Sequence, residues 1–343
     1  MRETRMTSIR YSRGFSLVEL MIGVALGLVV LAALTTFFVS SSSTRNEIER
    51  TSRQIENGRY AVDALRNELR LAGFYSELQT SGATWTSTDP CLSASTTDIG
   101  LALGPPLNVP FPVFGYADGA TMPSCVTNRV PQTDVLVIRR FHTEPVPLAT
   151  AALDAANYYW QPSRCRTDST TTPCMFNTGG SGGFGLRTLN CAGPANLFRM
   201  HVMIFYVRDY GYTVGDGVQT LVKLEVDRTS PLAVNGIVTS PIAEGIADMR
   251  LEYGVDNDAN GSPDLWSRCD TASACTTTQW ANVMAVRAHL LAVNLEPTVG
   301  YVDQKVYDMG TGVTALGPYN DQYKRHVYAA VVSLPNRTGP REQ

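Results

Sequence analysis

The sequence is poor in the residues expected of a metalloenzyme or a nucleic-acid-binding protein. Its four histidines are scattered, and none of its seven cysteines forms a CxxC pair, so we expect no zinc cluster. Charged residues make up only 17%, and the formal net charge of −3 gives bulk electrostatics no preference for nucleic acid or an anionic membrane. No HExxH motif, phosphate loop or paired-carboxylate signature is present. We therefore predict no catalytic residues, no enzymatic activity and no clear nucleic-acid site.

Cysteine is absent from the first 90 residues and then occurs seven times. Cysteines confined to the distal part of a chain indicate disulfides formed in an oxidising compartment. Closeness in sequence suggests the partners, although spacing alone does not determine connectivity. The predicted pairs are Cys269 with Cys275, Cys165 with Cys174, and Cys91 with Cys125. Because the number is odd, one thiol, which we assign to Cys191, stays free or pairs between chains.

The chain does contain one long uncharged segment. Residues 20–39 read LMIGVALGLVVLAALTTFFV. A helix of that length spans about 30 Å, the thickness of the hydrocarbon core of a bilayer. Residues 1–13 include four arginines and a single acid, namely Arg2, Arg5, Arg10 and Arg13 against Glu3. By the positive-inside tendency, we expect the N-terminus to stay cytoplasmic and everything after Val39 to be exported.

A carboxylate at the start of this segment separates two interpretations. An ordinary secretory signal would end in small residues, and the serines at 40–43 fit that pattern. That interpretation leaves Glu19 unexplained, because a charge that enters a bilayer costs roughly 2.5–3.5 kcal/mol and usually has a partner and a role. An ordinary signal peptide and a simple membrane anchor stay open as alternatives.

Residues 14–20, GFSLVEL, followed by an apolar helix, resemble the class III signal of type IV pilins and type II secretion pseudopilins. The resemblance implies that a prepilin peptidase cleaves between Gly14 and Phe15 and that Phe15 becomes N-methylated. It also implies that the carboxylate of Glu19 meets the N-terminal amine of a neighbouring subunit. Opposite charges attract strongly in a low-dielectric filament core, and each offsets the desolvation of the other. The apolar helix is then retained, because the cut precedes it.

Beyond the apolar run the helical pattern becomes amphipathic. The predicted apolar positions are Ile48, Ile55, Val62 and Leu69, spaced by seven, with Leu65 and Ala72 between them. No proline interrupts residues 15–74, and Gly73 is a natural stop. We predict one continuous helix of about 59 residues, near 90 Å long, whose second half packs on the protein's own sheet.

The end of this helix narrows the resemblance. Residues 58–74, GRYAVDALRNELRLAGF, resemble the helix end of PilW-type minor pilins, and residues 246–256 and 323–328 support the likeness. The resemblance implies a type IV pilin fold with four segments. These are a leader at 1–14, a transmembrane or filament-core helix at 15–44, an amphipathic helix at 45–74, and a periplasmic or extracellular β-rich domain at 75–343.

The distal residues carry the pattern of a β-rich domain. Alternating or β-branched runs predict strands at 134–140, 198–206, 220–227, 249–255, 283–294 and 326–334. Together with one N-terminal helix, they predict an α+β fold in which a mostly antiparallel sheet lies against the helix. Residues 143–194 are predicted to be an inserted, disulfide-pinned loop region.

One polar loop, DNDANGSPD at residues 256–264, has the composition of a calcium site. Oxygen-bearing side chains at alternate positions, followed by a glycine for a sharp turn, follow the logic of calcium loops. The candidate ligands are Asp256, Asp258, Asn260 and Asp264 through their side chains and Ser262 through its backbone carbonyl. The spacing departs from an EF-hand, which needs a glutamate where Ser267 stands. A polar β-turn without an ion explains the same residues.

The resemblance implies a structural function. The expected protein is a minor pilin near the tip of a type IV pilus that primes assembly and supports twitching, adhesion or DNA uptake. Expected partners are prepilin peptidase, other minor and major pilins, and a pilus-tip adhesin. The protein would reside first in the inner membrane and then in the cell-surface pilus. A type II secretion pseudopilin shares the N-terminal features, and a membrane-tethered exported calcium-binding protein is a third alternative.

Overall fold

The computed structural model describes residues 14–76, 82–91, 100–102, 106–163, 165–168 and 174–338. The predicted leader therefore lies outside the described residues, except for Gly14. The chain divides into two compact units, Met1–Thr51 and Ser52–Gln343. The first unit contains the apolar run, and the second contains every described strand.

A single long helix, α1 (Leu17–Leu71), carries the N-terminal sequence. It ends before Gly73, whose φ of +71° lies in the left-handed region that glycine adopts without strain. The amide of Gly73 donates to the carbonyl of Arg139 at 3.0 Å instead of continuing the helix. The predicted continuous helix and its stop at Gly73 are both confirmed.

The apolar stripe of α1 differs from the predicted one. The buried residues are Gln54, Gly58, Ala61, Leu65 and Leu69, whereas Ile48 and Ile55 are 63% and 37% exposed. A straight α-helix drifts by about 20° for each seven-residue step, so positions spaced by seven leave the buried face within a few turns. The predicted burial was therefore correct at Leu65 and Leu69 and wrong at Ile48 and Ile55.

Strands β1 to β7 occupy the first part of the second unit. They are β1 (Thr84–Thr86), β2 (Asn108–Pro110), β3 (Val113–Tyr116), β4 (Val135–Phe141), β5 (Tyr158–Pro162), β6 (Cys174–Thr178) and β7 (Phe198–Arg208). The later strands are β8 (Thr220–Val226), β9 (Ile237–Glu244), β10 (Ile246–Val255), β11 (Leu265–Ser267), β12 (Val283–Val293) and β13 (Arg325–Ser333). The short helices are α2 (Leu148–Ala151), α3 (Thr277–Ala281) and α4 (Pro335–Thr338), with a 3₁₀ turn at Gly179–Ser181.

Most of the strand pairing is antiparallel. One sheet has four strands in the order β11-β10-β12-β13. A second has seven strands, with β3-β4-β7-β5-β6 in one path and β8 and β9 joined to β7. Only β1 and β2, among the described strands, pair in parallel. This α+β arrangement, with a long N-terminal helix, antiparallel sheets and disulfides, is the predicted type IV pilin fold.

The six predicted strands are present as β4, β7, β8, β10, β12 and β13, each within three residues of its predicted bounds. The predicted loop region at 143–194 was wrong in part, because it contains α2, β5 and β6, and β5 pairs with β7. Every residue of β5 is buried, so its sequence lacks the alternation that marks a half-exposed strand.

The β4–β7 layer separates two hydrophobic cores. Leu136 of β4 and Phe205 of β7 belong to the core that contains Leu65 and Leu69 of α1. The residues next to them along both strands belong to a second core, which contains Trp160 of β5. Both faces of this sheet are therefore buried, and one of them receives the C-terminal part of α1.

Three disulfides brace the second unit. Cys91 pairs with Cys125 and Cys269 with Cys275, as predicted. The third bridge joins Cys165 to Cys191 and not to Cys174, so that prediction and the choice of Cys191 as the free thiol were wrong. Cys174 is buried in β6, where desolvation raises the pKa of its thiol to about 12. The correct partner lies further along the chain, in a loop that Arg187 ties to Asp168 near Cys165.

A buried ion cluster holds the long connection between β12 and β13. Arg325 lies 2.9 Å from Asp303 and 2.6 Å from Asp321, and its guanidinium lies 3.8 Å from the ring centroid of Tyr319. The hydroxyl of Tyr307 donates to Asp303 at 2.8 Å. Burial opposes ionisation of Asp303, but the bonds from Tyr307 and Arg325 outweigh it and lower the pKa of that carboxyl.

Candidate functional site

The predicted processing and assembly residues lie at the start of α1. Gly14 and Phe15 precede the helix, and Phe15 is 88% exposed. The backbone N–H of Ser16 donates to Oε2 of Glu19 at 3.0 Å, and the amide of Val18 donates to Oγ of Ser16 at 3.3 Å. This arrangement resembles a capping box, and a carboxylate in the first turn also suits the helix dipole.

Glu19 therefore has a local structural role in addition to any role between subunits. The S-x-x-E signature that opens helices is visible at residues 16–19, so this capping role was predictable from the sequence although it was not predicted. The bond also holds the carboxylate of Glu19 against the amide of Ser16, directly beside the point where the resemblance places a new N-terminus.

The remainder of the first unit presents an apolar surface. The most apolar 18-residue window of α1 has a mean hydropathy of 2.6, and none of it is buried. Leu20, Leu31 and Phe37 expose 62%, 61% and 73% of their surfaces. Among the described residues, α1 is the one helix long and apolar enough to cross a membrane. Apolar surface on this scale marks a region that lipid or other proteins cover.

The candidate calcium loop connects β10 to β11. Asp256 is fully buried at the end of β10, whereas Asp258 and Asp264 are exposed. One carboxylate oxygen from each of the three lies within 4.8 Å of the others, so a single cation could contact all three. The fold thus brings together three of the five predicted ligands, and their oxygen donors suit a hard cation.

The other two predicted ligands are engaged in the turn itself. Nδ2 of Asn260 donates to Asp258 at 2.9 Å, and the amide of Ser262 donates to Oδ1 of Asn260 at 2.7 Å. The amide of Gly261 donates to Asp256 at 3.0 Å. Such bonds are those of Asx turns, which order a loop without an ion. The described contacts therefore give Asn260 a turn-forming role.

A polar cluster on the outer face of the four-stranded sheet was not predicted. Glu252 is 2% exposed, yet it accepts hydrogen bonds from Arg287 at 2.8 Å and from the amide of Thr311 at 2.7 Å. Nε2 of His289 lies 3.6 Å from the same carboxylate. Burial opposes ionisation of Glu252, but the bonds from Thr311 and Arg287 prevail and lower its pKa. No local pattern indicates this cluster, because its members come from separate strands.

Comparison with known proteins finds two matching family models and a similar solved structure. Residues 204–336 match the family described as Type IV Pilus-assembly protein W, and residues 9–35 match the Prokaryotic N-terminal methylation motif. No curated protein matches the chain significantly. The solved structure of the Type IV-like pilin TTHA1219 from Thermus thermophilus is similar, with 14% sequence identity and a TM-score of 0.29. That likeness covers 60% of this chain and 79% of that chain. Because the TM-score is low, we base no argument on this structure.

A methylation motif that opens an unburied apolar helix, followed by an α+β domain, defines a type IV pilin-like protein. The family region begins in β7 and ends in α4, and so includes the whole four-stranded sheet. The two matched regions support the assignment of this chain as a type IV pilus minor pilin of the PilW kind. Both matched regions point to a structural pilin.

Proposed function

We propose that this protein is a filament subunit that primes assembly of the type IV pilus from a position at or near its tip. In that role it supports pilus formation and, through it, twitching, adhesion or DNA uptake. The observation that carries the proposal is the presence of three features in one chain: a methylation motif, an apolar helix and a PilW region. None of the most apolar window of that helix is buried. Such a helix needs an apolar environment, which the membrane supplies before assembly and neighbouring helices supply afterwards.

Processing is proposed to occur between Gly14 and Phe15, with methylation of the new N-terminus at Phe15. Both residues precede the first turn of α1, and Phe15 is exposed, which supports access by a prepilin peptidase. Glu19 would then exchange its bond to the Ser16 amide for a bond to the N-terminal ammonium of a neighbouring subunit. A charge-assisted bond of that kind is roughly twice as strong as one between neutral groups.

The route to the filament follows from the charge pattern. The N-terminus remains cytoplasmic while the second unit enters the periplasm, and the processed subunit then joins the cell-surface pilus. Its partners are the prepilin peptidase, other minor and major pilins, and a pilus-tip adhesin.

The test is N-terminal mass mapping of the chain in sheared pili from wild-type cells and from cells that carry Glu19→Ala. We expect a mature chain that begins at N-methylated Phe15 and the loss of the Glu19→Ala chain from pili. Glu56→Ala is the matched control, because Glu56 is an exposed acid on the same helix outside the apolar run. A chain that is cut after residue 39, or that keeps Met1, would contradict the proposal.

A type II secretion pseudopilin would give the same processing result. The PilW region favours the pilus. Deletion of the gene separates the two functions, because loss of surface pili with normal protein secretion supports the pilus. The opposite outcome would identify a pseudopilin.

We also propose that Asp256, Asp258 and Asp264 hold a calcium ion that stiffens the connection between β10 and β11. The support is the convergence of three carboxylates on one point. Weak extracellular sites have dissociation constants of about 0.1–1 mM, and calcium at ten times that value would stabilise the fold by about 1.4 kcal/mol.

Calcium titration followed by thermal unfolding tests this site. Wild type should be stabilised by millimolar calcium, and Asp264→Asn should lose most of that stabilisation. Asp63→Asn, at an exposed helical site, is the control and should respond as wild type does. Equal calcium responses in all three proteins would show that the loop is only a turn.

A further inference from the structure

Strand β13 forms one edge of the four-stranded sheet. Its pairing with β12 shows which backbone groups face outward. Leu334 donates to the carbonyl of Met284 at 2.8 Å, and Asn294 donates to the carbonyl of Lys324 at 3.0 Å, so the even-numbered residues bond to β12. The odd-numbered residues direct their N–H and C=O groups away from the sheet, and the central ones are Val327, Ala329, Val331 and Ser333.

These outward groups are available to another strand. Within the described part of the chain, no hydrogen bond reaches the backbone N–H or C=O of Val327, Ala329 or Val331. The side chains at these positions are uncharged, and Val331 is 57% exposed. A long edge with uncharged residues at its outward positions is a template for an additional strand.

The other long edge of the domain is protected by its sequence. Strand β9 contains Pro241, which lacks an N–H donor, and its pairing with β8 has a register shift between Leu221 and Val222. Proline and bulges are common means of blocking an edge. Strand β13 has no proline or lysine, and its nine pairs with β12 run without a register shift. The contrast indicates that the β13 edge is kept open for pairing.

An open depression of about 470 Å³ adjoins this edge. Val331 lines it from β13, and Glu252, Arg287, His289 and Asp308 line it from the neighbouring elements. Arg287 already pairs with Glu252 at 2.8 Å, whereas the carboxylate of Asp308 accepts only the amide of Gly310 among the described hydrogen bonds. Two carboxylates therefore face one guanidinium and one imidazole, and the carboxylate of Asp308 favours a basic side chain beside it.

We propose that β13 accepts an extended segment of another pilus subunit as an added strand, with a lysine or arginine of that segment in the depression beside Asp308. Main-chain bonds to the outward groups of β13 supply affinity, and the depression supplies specificity. The inference rests on the proposed function only in naming a pilus subunit as the source of the segment.

A second copy of this chain fits the edge less well. Gln54 of α1 bonds to the carbonyl of Lys324 before β13, and Asn336 after β13 bonds to the carbonyl of Ala72. Residues 52–71 of α1 and β13 thus run in the same direction. A twofold, antiparallel pair of β13 strands would set these helices antiparallel, whereas subunits that enter from one membrane are parallel.

Amide hydrogen exchange of the processed full chain in detergent micelles tests the proposal. The probes are overlapping synthetic peptides that cover the exported domains of the other pilins of the same organism. We expect at least one peptide that contains lysine or arginine to slow exchange at the amides of Val327, Ala329 and Val331 by about tenfold at nine-tenths occupancy. The amides that bond to β12 should change little.

Matched variants separate strand addition from other binding. Ala329→Pro removes one outward N–H and should abolish the protection, whereas Ala329→Ser keeps the N–H and should retain it. If Ala329→Pro does not fold, Val331→Lys provides the alternative test. It keeps every backbone amide, and its added positive charge should repel the basic segment. Asp308→Asn should weaken binding by about two- to fivefold, as expected for an exposed ion pair.

Three outcomes would overturn the inference. The first is that no peptide protects the outward amides of β13, and the second is that wild type, Ala329→Pro and Val331→Lys are protected equally. The third is amide protection that rises with the concentration of the chain itself. The last outcome would identify a second copy as the occupant. Normal peptide protection in a chain that never reaches pili would instead overturn the filament role and leave the strand-addition site intact.

Discussion

The two parts of α1 bury their residues in different ways, although one helix carries both. In the first unit, Leu20 and Leu31 are more than half exposed. In the second, Leu65 and Leu69 are at most 1% exposed and lie in a core formed with both large sheets. None of the most apolar window of the first part is buried within the described chain, whereas the second part packs on the chain's own strands.

This difference in burial determines at which step, folding or assembly, each part of α1 contributes its hydrophobic free energy. Burial of a leucine contributes about 1.5–3 kcal/mol. For Leu65 and Leu69 that free energy is gained when the second unit folds. For the leucines of the first unit it is gained only in lipid or among neighbouring helices. Substitutions on a single helix should therefore affect either the fold or the assembly, according to their position.

The largest contrast is expected between two leucines. Leu69→Ala should lower the free energy of unfolding of the second unit by roughly 2–5 kcal/mol, because it leaves a cavity in the core. Leu31→Ala should leave that free energy unchanged. Urea unfolding followed by tryptophan fluorescence measures it, because all four tryptophans lie in the second unit. Equal destabilisation by both variants would break the comparison.

Two glycines provide a second contrast. A Cβ at Gly58 would overlap the ring of Tyr328, so Gly58→Leu should destabilise the second unit by roughly 1–3 kcal/mol. A Cβ at Gly23 meets no atom within 4 Å, and Gly23→Leu should be neutral in the same unfolding measurement. If Gly58→Leu were also neutral, Tyr328 would have to move aside without loss of packing.

Polar side chains of the helix sharpen the comparison further. Nε2 of Gln54 donates to the carbonyls of Ala292 and Lys324 at 3.0 and 2.9 Å. Gln54→Ala removes both bonds and should cost about 1–2 kcal/mol of unfolding free energy. Thr35→Val removes only a bond to the preceding turn of its own helix and should not change the stability of the second unit. A neutral Gln54→Ala would show that water replaces both bonds.

The apolar run should contribute nothing to the pH dependence of stability, because no titratable residue occurs between Glu19 and Arg45. The pKa of Asp303 is lowered in the folded state, so its stabilising contribution is present above its unfolded pKa of about 3.9. The contribution is lost as the pH falls through the lowered pKa. Asp303→Asn should therefore flatten the acid limb of the stability profile, measured by urea unfolding from about pH 5 to 2. An acid limb as steep as that of wild type would exclude Asp303 as a contributor.

Much of the fold could be predicted because the relevant signals are local. The strands β4, β7, β8, β10, β12 and β13 alternate or carry β-branched runs, and Gly73 stops α1. Strand β5 was not predicted because it is buried on both faces. The partner of Cys165 was not predicted because Cys174 is nearer to it in sequence than Cys191, and nearness in sequence does not determine which cysteines meet in space.

The candidate sites divide in the same way. The processing motif at Gly14 and Phe15 and the acidic loop after β10 are contiguous in sequence and could be read directly. The convergence of Asp256, Asp258 and Asp264 on one point depended on how the turn folds. The cluster of Glu252, Arg287 and His289 left no pattern, because β10 and β12 bring its members together.

An apolar N-terminal helix with a class III signal and a β-rich distal domain follow from the amino-acid sequence alone. Those features depend on composition and on spacing over a few residues, which local physics reads directly. Three other features required the folded chain: which face of α1 is buried, which cysteines pair, and that β13 has an open edge beside an acidic depression. Each of these depends on contacts between residues far apart in the chain, which no local pattern encodes.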